Sequence, residues 1–557
     1  MGGIGKTELA LQYALTYGDE YPGSLCWFSL KGENLATQII EFARIYFDLV
    51  IPQELKSDIA RVEYCWREWR TEASLIVLDD VPNYGQFYRQ QIAPYLPPAA
   101  SNIKVLMTSR ERPGANISLL NLSVFSETKA LGLLGSFIGR SRIEAELNLA
   151  KQICNWLGCL PLGLELVGRY IALDKNLKLE KALKRLERKK LHAMALLGSE
   201  QADMTAQLGV AAALDLSWDV LDPEAQKLGC YLGLFASEPF KWSWVEAVWI
   251  ETDDKDKRED EIEDLERLRN LQLIQRNLLK TVPKEETYQL HPLIAQYFKA
   301  KLELQAEVAR LKYKFSKAVN TLARLIPEDL TIADILKFSI TIPHLNTVAI
   351  DLTEYVEDNN LFSLFMGIVR FYSGQGIYKQ AEHWLELSLN VCRNRFGEYH
   401  PSIAANLNNL VPVYLHQGKY DEAEKLCLQA VEMTKQIYVE QHPYVAISLD
   451  NLASVYNHRG QYDKAEKLYL QVLKIPKLLG NSDPDNIYTL NNLGSLYKSK
   501  GQYNKAEEFY LQALKLSQQL LGKRHQNVFG ILLELECVYE SLGKYKAAEN
   551  IYLQFLE

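Results

Sequence analysis

The last third of this 557-residue chain repeats itself with a nearly constant period, and this regularity restricts what it can fold into. One tyrosine recurs at steps of 42, 42, 41 and 42 residues, at Tyr372, Tyr414, Tyr456, Tyr497 and Tyr539. A second tyrosine follows in each period within a Y-x-x-A pattern, and a glycine turn precedes it, as in Gly418-Lys419-Tyr420-Asp421-Glu422-Ala423. A fixed period of this length is typical of stacked helix pairs. The sequence therefore predicts an α-solenoid over residues 359–557.

The periods resemble tetratricopeptide repeats of the longer type that is found in kinesin light chain. A small residue recurs where paired helices must approach each other closely, at Ala381, Ala423, Ala465, Ala506 and Ala548. Such pairs cannot bury their apolar faces alone, so they stack into a superhelix. The resemblance implies a concave groove that binds an extended peptide or a partner protein.

Three asparagines at equivalent places in successive first helices are the predicted partner-binding residues: Asn409, Asn451 and Asn492. An amide side chain offers both a donor and an acceptor to a peptide backbone. In the similar kinesin light chain repeats, such asparagines line the groove. An alternative stays open, in which they cap or bridge neighbouring helices. The last unit departs from the pattern because Glu534 takes the matching position.

At the other end of the chain, Gly2-Gly3-Ile4-Gly5-Lys6-Thr7 matches the closing part of the pattern G-x-x-x-x-G-K-[ST]. This loop binds di- and triphosphates because its backbone N–H groups and the start of the following helix point at the anion. Gly3, Gly5, Lys6 and Thr7 are therefore predicted to bind nucleotide. The first glycine of the pattern would fall at residue zero, so we expect the chain to begin inside the loop, without the strand before it.

Three short apolar segments predict a parallel sheet behind this loop. Residues 24–30 have the length and aromatic content of a buried strand, and residues 75–81 are apolar up to Asp79 and Asp80. A central parallel strand that delivers carboxylates to a ligand crevice has this pattern, which is a Walker B signature. The third strand, residues 104–107, leads to Arg110 at the same edge. Arg110 is predicted to reach a γ-phosphate.

The order of these motifs resembles the NB-ARC branch of the signal-transduction ATPases, and three further segments continue the resemblance. Gly158-Cys159-Leu160-Pro161-Leu162 is similar to the family's G-L-P-L motif, and Leu214 to Asp222 is similar to the opening of its winged-helix domain. His291 lies where the family has its M-H-D motif, although Leu290 and Pro292 replace the flanking residues.

The resemblance implies a role for each matching residue. Lys6 would neutralise the β- and γ-phosphates of ATP, and Thr7 and Asp79 would hold Mg²⁺. Asp80 would orient or activate water as the catalytic residue. Pro161 would lie near the adenine, and His291 would contact the β-phosphate of ADP in a closed state.

Each motif also has a structural explanation when it is taken alone. Gly-Lys-Thr can start a helix, a carboxylate pair can cap one, Pro161 can separate two helices, and His291 can be a buried core histidine. The order of the motifs over some 290 residues favours the nucleotide interpretation.

The predicted fold class is a multidomain α/β plus α protein. The domains that we expect are a P-loop NTPase domain whose first strand is missing (1–125), a helical domain (126–200), a winged-helix domain (201–300), a helical linker (301–358) and the repeats (359–557). The length of the chain supports several domains.

Composition narrows the choice of partners and compartment. The net charge of −8 gives no general attraction to nucleic acid, so nucleic acid is an unexpected partner. No apolar run approaches the roughly 18 residues of a membrane span, and no signal-peptide pattern is visible. The eight cysteines contain no C-x-x-C pair, which favours neither zinc nor disulfides. A cytoplasmic protein that does not bind membranes is the expectation.

These features favour a nucleotide-dependent signalling switch that binds ADP and ATP with Mg²⁺, senses a peptide or protein through its repeats and forms a homo-oligomer when ATP is bound. Its enzyme activity would be at most that of a slow regulatory ATPase. Two alternatives stay open: a repeat scaffold whose ATPase no longer functions, and a transcription regulator. The family resemblance implies bacterial defence or stress signalling.

Overall fold

The computed structural model describes residues 4–30, 34–52, 54–55, 57–81, 86–99, 101–109, 118–174, 176–197, 205–250, 254–282, 286–440, 442–475, 485–522 and 525–556. The chain forms two compact units, one of residues 1–322 with 335–356 and one of residues 323–334 with 357–557. Helices predominate in both units.

The first unit begins with a small parallel sheet in the strand order β1-β2-β3. Its elements alternate along the chain: α1 (Lys6–Thr16), β1 (Ser24–Ser29), α2 (Leu35–Phe47), α3 (Asp58–Arg67), β2 (Ser74–Val81), α4 (Gln86–Gln91) and β3 (Ile103–Ser109). All three predicted strands are present.

Strand β2 is buried on both faces, as a central parallel strand must be. Leu75 and Val77 pack against α1, whereas Ile76 and Leu78 belong to the core that contains α2 and α3. Helices therefore cover both faces of the sheet, and the amino terminus of α1 lies at the carboxyl edge of β2.

Five helices follow the sheet: α5 (Glu127–Ile138), α6 (Arg140–Ala145), α7 (Leu147–Trp156), α8 (Pro161–Leu173) and α9 (Leu179–Leu197). Helix α8 is the centre of this group because Leu164, Leu166, Val167 and Ile171 are completely buried.

In the next segment, the described residues form five α-helices, a π-helix (Leu268–Ile274) and a small antiparallel sheet in the order β4-β6-β5. Its elements are α10 (Thr205–Trp218), α11 (Pro223–Leu232), β4 (Phe240–Lys241), α12 (Trp242–Trp249), α13 (Lys255–Arg267), β5 (Lys280–Thr281), β6 (Thr287–Gln289) and α14 (Pro292–Leu302). Asp215, in the segment Leu214 to Asp222, connects α10 with α14. Its carboxylate accepts a hydrogen bond from Tyr297 at 2.5 Å and pairs with Lys301 at 2.9 Å.

Three helices complete the region before the repeats: α15 (Val308–Arg324), α16 (Ile332–Phe338) and α17 (Ile342–Asp351). His344 of α17 is fully buried among aromatic rings. Its Nδ1 accepts from the Ala236 N–H at 3.1 Å, and its Nε2–H donates to the Pro239 carbonyl at 2.9 Å. Burial lowers the pKa of this imidazole from 6.5 to about 4, so the ring is neutral.

The second unit contains the five helix pairs that the tyrosine period predicts. The pairs are α18 (Asp358–Gly374) with α19 (Tyr378–Phe396), α20 (Pro401–His416) with α21 (Tyr420–Ile437), α22 (Pro443–His458) with α23 (Tyr462–Lys474), α24 (Asp485–Ser499) with α25 (Tyr503–Leu520), and α26 (Gln526–Ser541) with α27 (Tyr545–Leu556).

The repeated small residues explain the pairing of the helices. The five alanines of the Y-x-x-A pattern are at most 5% exposed, so they lie where each second helix meets its neighbour. Between the helices of each pair the backbone passes through a left-handed glycine, at Gly376, Gly418, Gly460, Gly501 and Gly543. A residue with a Cβ would be strained at these positive φ angles.

An ion pair recurs between successive repeats: its glutamate has the same position in each period, and its cation lies directly before or directly after the turn glycine of the next repeat. A glutamate on the second helix of one repeat pairs with a cation near the turn of the following repeat: Glu382 with Lys419, Glu424 with Arg459, Glu466 with Lys500, and Glu507 with Lys544. The hydrogen bond from Lys500 lowers the pKa of Glu466 below its ordinary value. These four pairs are called the inter-repeat ion pairs below.

None of the helices in the described part of the chain combines the length and the apolar character that crossing a membrane requires.

Candidate functional site

Gly5 and Lys6 form the start of α1 at the carboxyl edge of the parallel sheet. Gly5 is the N-cap residue with φ 93° and ψ 23°, a left-handed conformation in which any other residue would be strained. Lys6 is the first helical residue, and the Leu9 N–H donates to the Gly5 carbonyl at 2.8 Å. The first turn of a helix carries N–H groups that lack intrahelical acceptors. Gly3 lies outside the described residues.

Thr7 and Asp79 are in direct contact although 72 positions separate them. The Thr7 hydroxyl donates to Asp79 Oδ1 at 2.9 Å. The same carboxylate oxygen accepts the Thr108 hydroxyl of β3 at 2.5 Å. Asp79 is 7% exposed, so two hydroxyl groups from two different elements hold a carboxylate that is almost buried.

Asp80 lies in a distortion of the central strand. Its φ of 57° is in the left-handed region, and the register between β2 and β3 shifts between Leu78 and Val81. The Asp80 N–H donates to the Thr108 hydroxyl at 2.9 Å, so Thr108 binds both consecutive aspartates. Bulges of this kind redirect side chains beside functional sites.

Glu238 approaches the same edge of the sheet from the segment before β4. The Ser29 hydroxyl donates to its carboxylate at 3.3 Å, and Ser29 is the direct neighbour of Asp79 across the β1–β2 pair. The Ser29 carbonyl accepts from the Gln38 side chain at 2.8 Å. A carboxylate from a distant segment therefore lies beside the strand that contains Asp79.

Thr108 and Glu238 are two residues of this edge that sequence reasoning missed. The signal for Thr108 was present, because a hydroxyl residue precedes Arg110 at the end of the third predicted strand. For Glu238 no local pattern exists, since it contacts Ser29 across 209 positions. Arg110, the predicted γ-phosphate sensor, lies outside the described residues.

Pro161 is the first residue of α8, where a proline is well tolerated. The chain enters this helix through two consecutive left-handed residues, Gly158 with φ 61° and Cys159 with φ 52°. The Cys159 carbonyl accepts from the Phe125 N–H at 3.2 Å, which ties the turn to the segment before α5. The role of Pro161 beside adenine stays a prediction.

His291 is the N-cap residue of α14. Its Nδ1 accepts from the Leu293 N–H at 3.2 Å, and Pro292 is the first helical residue. Because Nδ1 is the acceptor, the neutral ring carries its proton on Nε2. His291 is half-buried, and its contact with the β-phosphate of ADP stays a prediction.

The three predicted partner-binding asparagines all reach back to the preceding repeat. Asn451 Nδ2 donates to the backbone carbonyl of Asn408 at 3.2 Å, and Asn492 Nδ2 donates to Asp450 at 3.0 Å. Asn409 Nδ2 donates to the Met366 sulfur at 3.4 Å. These contacts match the alternative in which the asparagines bridge neighbouring helices. All three side chains are also partly exposed.

The chemistry of the edge suits magnesium better than a metal that needs several protein ligands. Among the described residues, no group of three or more His, Cys, Asp or Glu side chains could hold a metal ion. Mg²⁺ prefers oxygen donors and commonly takes one or two from the protein and others from phosphates and water. The Thr7 hydroxyl and the Asp79 carboxylate fit that requirement.

Comparisons with known proteins agree with the sequence-based recognition. The tetratricopeptide repeat family model matches residues 402–477 and 485–557. The chain is 24% identical over 243 residues to the regulatory protein AfsR of Streptomyces coelicolor and 27% identical over 245 residues to that of Streptomyces griseus. Each alignment covers 42% of this chain and 23% of the relative, so the chain spans less than a quarter of the length of these relatives.

One solved structure is similar over the whole chain. It is the Signal Transduction ATPase with Numerous Domains (STAND) protein with a tetratricopeptide repeat sensor, PH0952, from Pyrococcus horikoshii. The identity is 18%, the TM-score is 0.50, and the match covers 100% of this chain and 79% of PH0952. The chain therefore has a STAND-like fold. More particularly, its C-terminal part consists of tetratricopeptide repeats, as the sequence predicts.

Proposed function

We propose that the chain is a nucleotide-dependent signalling switch that binds ADP and ATP at the carboxyl edge of its parallel sheet. The hydrogen-bonded group of Thr7, Asp79 and Thr108 is the observation that carries the proposal. It joins the residue after the Gly-Lys pair to the acidic end of β2. A coincidental Gly-Lys-Thr at a helix start has no reason to contact a carboxylate at the end of a buried strand.

The residues at this edge have complementary tasks toward a nucleotide. The first-turn N–H groups of α1 and the Lys6 ammonium bind phosphate oxygens. Thr7 and Asp79 hold Mg²⁺, which would neutralise charge on the phosphates when it is bound. Thr108 keeps Asp79 in place while its hydroxyl accepts the Asp80 N–H.

Asp80 and Arg110 belong to the catalytic part of the proposal. The left-handed backbone at Asp80 turns its carboxylate away from the regular alternation of β2, and the carboxylate orients water there. Arg110 follows β3 in the sequence and senses the γ-phosphate. Hydrolysis would be slow and would reset the switch.

Two residues from later segments recognise the ADP state. Pro161 packs beside the adenine, and His291 donates from Nε2 to the β-phosphate. The capping bond at Nδ1 supports this role because it leaves the proton on Nε2. The contact of Glu238 with Ser29 brings residues 201–300, a winged-helix domain in our proposal, to the edge of the sheet.

The repeats act as the sensor. Their concave groove binds a peptide or protein, and binding favours a conformation that releases ADP and takes up ATP. A ligand can shift such an equilibrium only by its differential affinity for the two states. The ATP-bound form assembles into a homo-oligomer.

Isothermal titration calorimetry of the full chain with Mg-ATP and Mg-ADP tests the proposal. We expect saturable binding of both nucleotides, and a loss of affinity of about tenfold to hundredfold in Lys6→Ala, because a charged hydrogen-bond donor to the phosphates is removed. Lys104→Ala is the matched control, since Lys104 is an exposed lysine of β3 in the same sheet.

The outcome separates the switch from the repeat scaffold. Binding that Lys6→Ala weakens and Lys104→Ala preserves supports the switch. An absence of heat beyond dilution with both nucleotides in the wild-type chain would reject the switch and leave the scaffold as the better explanation.

A further inference from the structure

The second unit has an open cavity of about 370 Å³ between two segments that are far apart in the sequence. One wall consists of Pro327, Glu328 and Asp329. The other comes from the fourth and fifth repeats, where Ile487, Tyr488, Leu521, His525 and Asn527 line it. The volume lies at the small end of the range for ligand pockets, which suits one side chain or a small ligand.

The first wall carries two carboxylates. Glu328 pairs with Arg370 at 3.0 Å, but its side chain is 76% exposed, and ion pairs between exposed groups are weak. A competing cation can therefore take over this carboxylate at little cost. Asp329 is exposed and has no ion pair among the residues that the structure describes.

The second wall presents an aromatic ring that is held in place. Tyr488 is 53% exposed, and its hydroxyl accepts from the Asn527 side chain at 3.2 Å. His525 caps α26 by accepting the Asn527 N–H at Nδ1, also at 3.2 Å. Two separate contacts of Asn527 thus fix the positions of the ring and the imidazole.

Apolar groups complete the lining at Pro327, Ile487 and Leu521. A long cationic side chain needs this combination, because its methylene stem packs on apolar surface while its charged end meets carboxylates. An aromatic face adds a cation–π contact, which the planar guanidinium of arginine uses well.

We propose that this cavity, called the cation pocket below, binds an arginine or lysine side chain of the peptide that the repeats recognise. The inference rests on the proposed role of the repeats as the sensor, and it specifies the chemistry of their ligand. Arginine is preferred to lysine because Tyr488 can stack on the guanidinium while the two carboxylates accept its N–H groups.

Peptide selection with the full chain tests the pocket. The probes are pools of acetylated and amidated octapeptides in which one position is arginine, lysine, glutamine or glutamate and the others are random. We expect the immobilised chain to retain the arginine pool about tenfold more than the glutamine pool at one position, with lysine between them and glutamate lowest.

Variants of the two walls identify the residues responsible. Glu328→Gln combined with Asp329→Asn should reduce the preference for arginine to less than about twofold, since the charged acceptors are gone. Tyr488→Leu should reduce it about fivefold, and Tyr488→Phe should retain most of it. Glu432→Gln, at an exposed glutamate of α21, is the matched control.

Equal retention of arginine and glutamine pools at every position would overturn the proposal, as would an arginine preference that survives in the double variant. Nucleotide titration of the same preparations keeps the two hypotheses apart. A chain that binds Mg-ATP without any arginine preference lacks the pocket but keeps the switch, and the reverse result keeps the pocket alone.

Discussion

At the scale of single residues, Thr108 connects the two aspartates on which the proposed nucleotide chemistry depends. Its hydroxyl donates to Asp79 and accepts from the Asp80 backbone. A hydroxyl in this position fixes the carboxylate without adding a charge. Loss of the hydroxyl should therefore disturb the metal-binding geometry while leaving the electrostatic field of the site almost unchanged.

Thr108→Val removes this hydroxyl at nearly constant volume. We expect the affinity for Mg-ATP to fall about tenfold, because one buried hydrogen-bond network loses its central member. Thr108→Ser keeps the hydroxyl and should bind like the wild type. Calorimetry measures both constants, and equal affinity of the valine and serine variants would contradict a positioning role for Thr108.

His344 makes the stability of the first unit depend on pH. Its folded-state pKa is lowered to about 4, so below pH 6.5 the unfolded chain binds a proton that the folded chain does not. The free energy of unfolding therefore falls as the pH drops from 6.5 to 4, by about 3 kcal/mol in total, and the loss ends below pH 4.

Urea unfolding of the wild type and His344→Gln between pH 7.5 and pH 4.5 measures this effect. The variant should be less stable at neutral pH, since the Ala236 N–H loses its acceptor, but its stability should decline less on acidification. His383→Gln, at an exposed histidine of α19, should keep the wild-type slope. Parallel slopes for His344→Gln and the wild type would show that the imidazole is not responsible.

The sequence predicted much of the candidate site but little of its geometry. Lys6, Thr7, Asp79 and Asp80 were found because each belongs to a short pattern of fixed spacing. The left-handed conformation of Asp80 was not predictable, since aspartate adopts it only where the surrounding structure requires it. Thr108 was overlooked because a hydroxyl at a strand end has many ordinary roles.

At the scale of the elements, the asparagines illustrate how the same residue can contribute differently to stability in different repeats. Asn451 bonds to a backbone carbonyl, whereas Asn409 bonds to the sulfur of Met366, which is a weak acceptor. Both side chains occupy the same place on their helices. Their contributions to stability should differ because their partners differ.

Alanine substitutions at these two positions form a matched pair. Asn451→Ala should lower the free energy of unfolding of the repeats by about 1 kcal/mol, because a carbonyl loses its side-chain donor. Asn409→Ala should cost clearly less. Denaturant unfolding monitored by circular dichroism measures both. If Asn451 serves ligand binding alone, its substitution will leave the stability unchanged.

The helix pairs were predictable because the period is encoded in residues whose physical role does not vary. Alanine allows close helix contact, glycine allows the left-handed turn, and tyrosine fills the space between repeats. The partners of the asparagines were not predictable. Asn408 and Asp450 lie one position before Asn409 and Asn451, and nothing local indicates which amide reaches the preceding repeat.

At the scale of the whole molecule, the chain consists of two compact units of different construction. The first contains the candidate nucleotide site and the second contains the repeats. The two regions carry different signals in the sequence, because a motif order marks one and a period marks the other. The contact of Ser29 with Glu238 within the first unit was beyond sequence reasoning, since it joins segments without a shared pattern.

Two units of this kind should unfold in separate steps. Differential scanning calorimetry should resolve two transitions, and Mg-ADP at 100 times its Kd should stabilise only the one that contains the sheet, by about 2.7 kcal/mol. At the same Mg-ADP concentration, Lys6→Ala should reduce this stabilisation to between about 0.4 and about 1.4 kcal/mol because of its tenfold to hundredfold lower affinity, and Lys104→Ala should preserve it. An equal shift of both transitions would show that nucleotide binding stabilises the repeats directly.

The inter-repeat ion pairs make one repeat interchangeable with another. If one whole period were removed, a glutamate and a cation would again meet at the new junction between repeats. Evolution can therefore lengthen or shorten such an array through simple genetic exchange. The cation pocket sets a limit on this freedom, because residues 327–329 share a cavity with the fourth and fifth repeats only at the present count. A descendant that gained or lost a repeat between the two walls would remain well folded but would lose the cation pocket that we propose.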